Sequence, residues 1–170
     1  STQKILEVIK NLKTQIPNIS IRSTFILGFP GETKENFEEL LNFLKNEKLT
    51  NVGFFAYSRE EGTRAYNFEN QVSTKTKNSR VKKAYEVQRI IAENNNLNLL
   101  NSVLDVIIDE MENNYFVGRA YLSAPDVDPV VYIPVNNKNK NKIKIGNIVP
   151  IKITKVLDYD LEGELYEPTK

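Results

Sequence analysis

The sequence predicts two unlike halves: an α/β segment of parallel βα units up to residue 98, then an all-β segment that folds as a small five-stranded antiparallel barrel. Three observations carry this. Before residue 98, nearly continuous apolar strands alternate with amphipathic helices, the pattern of parallel sheets covered on both faces. "NNNLNLLNS", Asn94–Ser102, is an asparagine-rich link with no period. Beyond it, hydrophobicity alternates every second residue between turns rich in Asn, Asp, Pro and Gly.

Taken in order, Ile5, Val8, Ile9 and Leu12 recur at helical spacing behind a cap at Ser1 or Thr2, and Pro17 ends that helix. "ISIRSTFILG" then reads as a strand. The next helix lies in "ETKENFEELLNFLKN", with Thr33 as cap and Phe37, Leu40, Leu41 and Leu44 as its apolar stripe. "NVGFFAYS" is the second strand. From residue 74 to about 98 a long polar helix carries Val81, Ala84, Tyr85, Gln88, Ile91 and Ala92 on one side. Two βα units cannot close a barrel alone, so this half reads as the tail of a larger βα domain. In the second half the strands are Val103 to Asp109, Tyr115 to Leu122, Val130 to Pro134, Asn147 to Val156 and Tyr159 to Leu165, a count that suggests an OB-like barrel. Pro150 marks an edge or a bulge there. "NNKNKNK", Asn136 to Lys142, reads as a solvated loop, having no aromatic residue on which a base would stack.

The chain has no cysteine and no histidine, which excludes disulfides, thiolate nucleophiles, imidazole bases and cluster ligation by this chain. No apolar run approaches the ~20 residues that span a bilayer, and the expected location is cytoplasmic. The net charge of +1 is unevenly divided: residues 1–95 hold 15 Lys/Arg against 11 Asp/Glu, residues 96–170 hold 8 against 11. The acidic barrel half disfavours a phosphate backbone as partner, so tRNA is not expected there.

One stretch stands out chemically. "FILGFPGET", Phe25 to Thr33, puts two glycines, a proline and an acid between a strand and a helix. At the carboxyl end of a parallel strand such a turn lets a ligand approach the backbone, with Glu32 free to accept its hydrogen bonds. The same residues also suit a tight turn with an acid at a helix start.

"IRSTFILGFPGET" and "FFAYSREEGTRAYNF", in this order and at this spacing, resemble the fifth- and sixth-strand segments of radical S-adenosylmethionine (SAM) enzymes of the methylthiotransferase family. The barrel half resembles the TRAM domain of the same family. "GRAYLSAPDVDPVVYI" and "LDYDLEGEL" resemble the RimO branch, which modifies an aspartate of a small-subunit ribosomal protein, uS12, where the sister branch modifies tRNA adenosine. The resemblance covers essentially the whole chain. It implies that residues 1–98 end a partial TIM-type radical SAM domain and that residues 99–170 form the TRAM domain. Asn101-Ser102 stand where Gly-Lys is common, and Pro129 where glycine is usual.

The resemblance also implies SAM and two 4Fe-4S clusters as cofactors of the complete enzyme, with cluster ligands outside this chain. SAM is expected against Ile26 and Gly28, with Glu32 as polar contact or helix anchor, Arg22 on the methionine carboxylate, and the Tyr57 and Ser58 backbone at the adenine edge. No catalytic residue and no metal ligand is expected here. Asp126, Asp128, Asp158 and Asp160 are expected to form an acidic face for the basic protein substrate. Two other readings stay open: the tRNA-modifying sister enzyme, and a non-catalytic RNA-binding barrel on a βα scaffold.

Overall fold

The computed structural model describes residues 2–125 and 127–168. Helix α1 (Thr2–Gln15) leads into strand β1 (Arg22–Leu27), helix α2 (Lys34–Glu47), strand β2 (Asn51–Ala56), a short 3-10 turn (Arg64–Asn67) and the long helix α3 (Thr74–Leu97). The remaining strands are β3 (Val103–Glu112), β4 (Tyr115–Arg119), β5 (Val131–Pro134), β6 (Ile148–Leu157) and β7 (Asp160–Leu165).

β1 and β2 are parallel, with Phe25 opposite Phe54 and Ile26 opposite Phe55. Alternation along these strands sends Phe25, Leu27 and Phe54 into a core with Leu41, Leu44, Ala84, Val87 and Ile91 of α2 and α3. The opposite face, which holds Ile26 and Phe55, is bare: these two are 58% and 62% exposed. α2 begins as expected. Thr33 accepts from the Asn36 amide and Asn36 from that of Thr33, a reciprocal cap that satisfies two otherwise orphaned donors.

The second half closes into a barrel in the order β3-β4-β5-β7-β6, around Val106, Ile108, Ile133, Ile151 and Ile153. Five strands close as expected, but one pairing differs: β5 and β7 run parallel, with Val131 opposite Leu161. An alternation of period two is the same in either direction, so the pattern carries no strand polarity. Strand ends also move. β3 continues to Glu112 because Asn113 and Asn114, both at positive φ, make a tight hairpin into β4. β4 stops at Arg119, short of Leu122, because the chain turns there toward the α/β half.

Pro150 is neither on an open edge nor at a bulge. It lies one residue beyond the last β6–β7 pair, Ile151 with Leu165, and the register shift falls between Ile153 and Lys155. The 136–142 loop is more built than its composition suggests. Asn139 is buried, its side chain accepts from the Asn136 amide and donates to the Pro134 carbonyl, and Ile143 follows it into the core. Asn101 takes φ +67, which explains why a glycine suits that position and why asparagine replaces it at small cost.

Candidate ligand-binding rim

The carboxyl ends of β1 and β2 form one rim. Gly28, at φ +74, ends β1; Gly31, at φ +86, completes the turn and donates its amide to the Asn70 carbonyl of the β2–α3 connection. The Tyr57 amide continues the ladder by donating to the Leu27 carbonyl at 2.8 Å. Above these turns Phe29 packs edge-on against Tyr57 and Phe68, with centroids 5.2 and 6.0 Å apart.

Glu32 takes the anchoring one of its two expected roles. Its Oε2 accepts the Gly28 amide at 2.9 Å, and its Oε1 pairs with Arg80 at 2.5 Å, both side chains being largely buried. The carboxylate that looked free for a ligand is spent inside the turn. Ser58 is exposed, and its hydroxyl donates to Glu60 at 2.5 Å.

Of the predicted ligand residues, the fold therefore brings Ile26, Gly28, Glu32, Tyr57 and Ser58 together and leaves Arg22 apart. Arg22 opens β1, five residues before Leu27, or about 16 Å away at the rise of a strand. It makes a 2.8 Å ion pair with Asp128 instead. The strand direction places it at the opposite end of the sheet from the rim.

The four aspartates of the expected acidic face have different surroundings. Asp128 is 6% exposed in its side chain and, besides Arg22, accepts the Ala124 amide at 2.8 Å. Asp160 accepts the Val130 amide at 2.9 Å, and Asp158, at φ +61 in the β6–β7 turn, lies 3.4 Å from Arg89. Asp126 lies outside the described residues. Asp128 and the half-exposed Asp158 pair across the seam between the halves, while the Asp160 bond lies within the barrel; Asn51 and Ser20 also join the seam through the Leu122 carbonyl and Asn96 through the Tyr159 carbonyl at 2.8 Å. Tyr159 sits in that seam, and burial, then the charge of Asp158, raises the pKa of its phenol.

Three residues escaped the sequence reading: Phe55, Lys77 and Arg80. Lys77 is buried, and its ammonium donates to the Tyr57 carbonyl at 2.9 Å. Extending the α3 stripe one turn back from Val81 and Ala84 lands on Lys77 and Arg80, which was the available signal. Lysine and arginine read as surface because they are so seldom buried. Among the described residues, no group of three or more His, Cys, Asp or Glu is arranged to hold a metal ion, and no helix is long and apolar enough to cross a membrane.

The barrel matches the TRAM domain family over residues 102–165. Along the whole chain, the ribosomal protein uS12 methylthiotransferase RimO of Thermoanaerobacter sp. (strain X514) is 43% identical over 162 residues, which is 95% of this chain and 36% of that protein. The proteins of the same name from Clostridium kluyveri and Alkaliphilus oremlandii are 41% and 39% identical, over 96% and 98% of this chain and 36% and 38% of their own lengths. This chain thus spans little more than a third of the relatives it matches. Its barrel is a TRAM domain, and the chain as a whole corresponds to the carboxyl-terminal part of the RimO-type methylthiotransferases.

Proposed function

We propose that this chain is the part of a methylthiotransferase that carries one side of the SAM site on its rim and offers its barrel to ribosomal protein uS12. The reading takes residues 1–98 as the end of the radical SAM domain and 99–170 as the TRAM domain. The observation that carries it is the exposed pair Ile26 and Phe55, side by side on the bare sheet face beside the Tyr57–Ser58 backbone. Two apolar side chains on a parallel strand pair are ordinarily covered, and an adenosine ring system suits such a surface. Gly31, with no atom within 4 Å of where a Cβ would stand, leaves the rim open to close approach.

When bound, SAM and the two 4Fe-4S clusters supply the radical and the methylthio group. The residues of this chain suit the nucleoside but not the clusters, because it has neither thiolate nor imidazole. Its own contribution is to seat the adenosine on Ile26 and Phe55, to present backbone groups at Tyr57 and Ser58, and to hold the turn with Glu32. On the barrel, exposed Glu110, Glu112 and Glu164 join Asp158 as charges a basic protein would meet. The reaction belongs in the cytoplasm, with the ribosomal protein.

The test uses the intact, cluster-loaded enzyme with purified uS12 and, separately, unmodified tRNA. Mass spectrometry is expected to find a methylthio group on an aspartate of uS12 and none on tRNA. Modification of a tRNA adenosine with none on uS12 would transfer the chain to the sister branch. Replacing Phe55 by Ala is expected to weaken SAM binding about tenfold, the order of burying one aromatic face.

A further inference from the structure

α3 does more at the rim than cover the sheet. Lys77 and Arg80 lie one turn apart on its inward face, and each reaches a different strand end. The Lys77 stem crosses Gly28 so closely that a Cβ there would stand 2.3 Å from the Lys77 Cγ. Its ammonium goes on to the Tyr57 carbonyl at 2.9 Å and lies 5.0 Å from the centroid of the Tyr57 ring. Arg80 holds Glu32 at 2.5 Å through the carboxylate and at 3.2 Å through the backbone carbonyl, and Glu32 in turn accepts the Gly28 amide. Gly28 is gripped from two sides by one helix, and Tyr57 is tied to it by the same lysine.

The charges are informative. Glu32 is engaged by Arg80, and among the described residues no carboxylate pairs with Lys77. Apart from the Tyr57 carbonyl and ring the ammonium has no counter-ion among the described residues, and an apolar residue of the same length would fill the space over Gly28 as well. Stability alone therefore does not account for a lysine here. What the ammonium adds is a fixed position for the Tyr57 carbonyl, the point at which β2 leaves the sheet.

We propose that Lys77 and Arg80 are positioning residues that set the spacing of the two strand ends, so that the rim is preformed for its ligand. This rests on the reading of the rim as part of a SAM site. Neither side chain need touch the ligand: Lys77 acts through Tyr57, and Arg80 through Glu32 and Gly28.

The experiment compares wild type, Lys77→Met and Lys77→Arg as intact, cluster-loaded proteins. Methionine keeps an unbranched stem over Gly28 and drops the ammonium; arginine keeps a cation that can reach a carbonyl. One arm titrates SAM and S-adenosylhomocysteine by calorimetry, and the other measures amide exchange at Gly28 and Tyr57 without ligand. Lys77→Met is expected to speed exchange at those two amides, leave the barrel amides unchanged, and weaken both ligands about tenfold, with partial recovery in Lys77→Arg. A Lys77→Met protein that binds both ligands as tightly as wild type overturns the proposal alone. Equal losses in both variants, with exchange raised throughout the α/β half, assign Lys77 a general packing role and also overturn it. A wild type that takes up neither ligand overturns the rim reading itself, and the proposal with it.

Discussion

At the scale of single residues, the two glycines of the turn are not equivalent, although the sequence presents them as a pair. Both have positive φ, so any side chain costs about 1–2 kcal/mol at either position. Only at Gly28 does the added methyl also meet Lys77; at Gly31 it meets nothing. Overpacking typically adds about 1–3 kcal/mol, so Gly28→Ala is expected to be less stable than Gly31→Ala by that amount. Urea unfolding of the two variants at equal m-value measures it. The difference should shrink in a Lys77→Ala background, because the two positions are coupled through one contact. Equal midpoints for Gly28→Ala and Gly31→Ala would mean that the Lys77 stem yields freely, and the grip on Gly28 described above would not exist.

At the scale of elements, the sheet has two strands among the described residues, and β2 has an edge that β1 does not pair. Free edges invite pairing with other chains. Here α3 blocks the middle of that edge: the Tyr85 hydroxyl donates to the Phe54 carbonyl and accepts from the Phe54 amide, each at 3.2 Å, while its ring packs edge-on against Phe54 at 5.0 Å. One side chain thus satisfies both polar groups of an edge residue. Tyr85→Phe keeps the ring contact and frees both groups, for an expected cost of about 1 kcal/mol. It should also raise the rate of self-association at high concentration. Chemical denaturation and light scattering check the two effects. An unchanged association rate would show that the edge is protected by something other than this hydroxyl.

At the scale of the whole molecule, the barrel is docked against the α/β half rather than hung from it. Leu122, Asp128 and the β6–β7 turn lie in the seam, where Arg89 pairs with Asp158 and Arg22 with Asp128, the latter two 44% and 6% exposed in the side chains. Removing Arg22 leaves a nearly buried carboxylate with one backbone donor, at a cost of about 1–3 kcal/mol that the seam escapes by opening. Arg22→Met is therefore expected to speed proteolysis in the link between α3 and β3 and to enlarge the radius of gyration by small-angle scattering. Asp128→Asn should be milder, since an amide oxygen still accepts from Ala124. If both variants cut at the wild-type rate, the seam is held by the Leu122, Tyr159, Arg89–Asp158 and apolar contacts instead.

The period of the pattern was sufficient to tell the α/β elements from the all-β ones. Alternating βα elements, the asparagine-rich link and the switch to a period of two located the α-helices and strands, though not all their ends, because which face is buried is a local property of spacing. The turn chemistry was legible too: glycines, Pro30 and a capping threonine leave few conformations open. What the tertiary structure decided is where polar side chains end. Glu32, Arg22, Asp128 and Asp160 read as free groups, since charges are mostly solvated, yet each found a partner 4 to 106 positions away. Lys77 and Arg80 were hidden for the converse reason, a cation at a buried position being the rarer case. The parallel pairing of β5 with β7 was likewise beyond reach, because alternation fixes the face of a strand and leaves its direction to the path of the chain between strands.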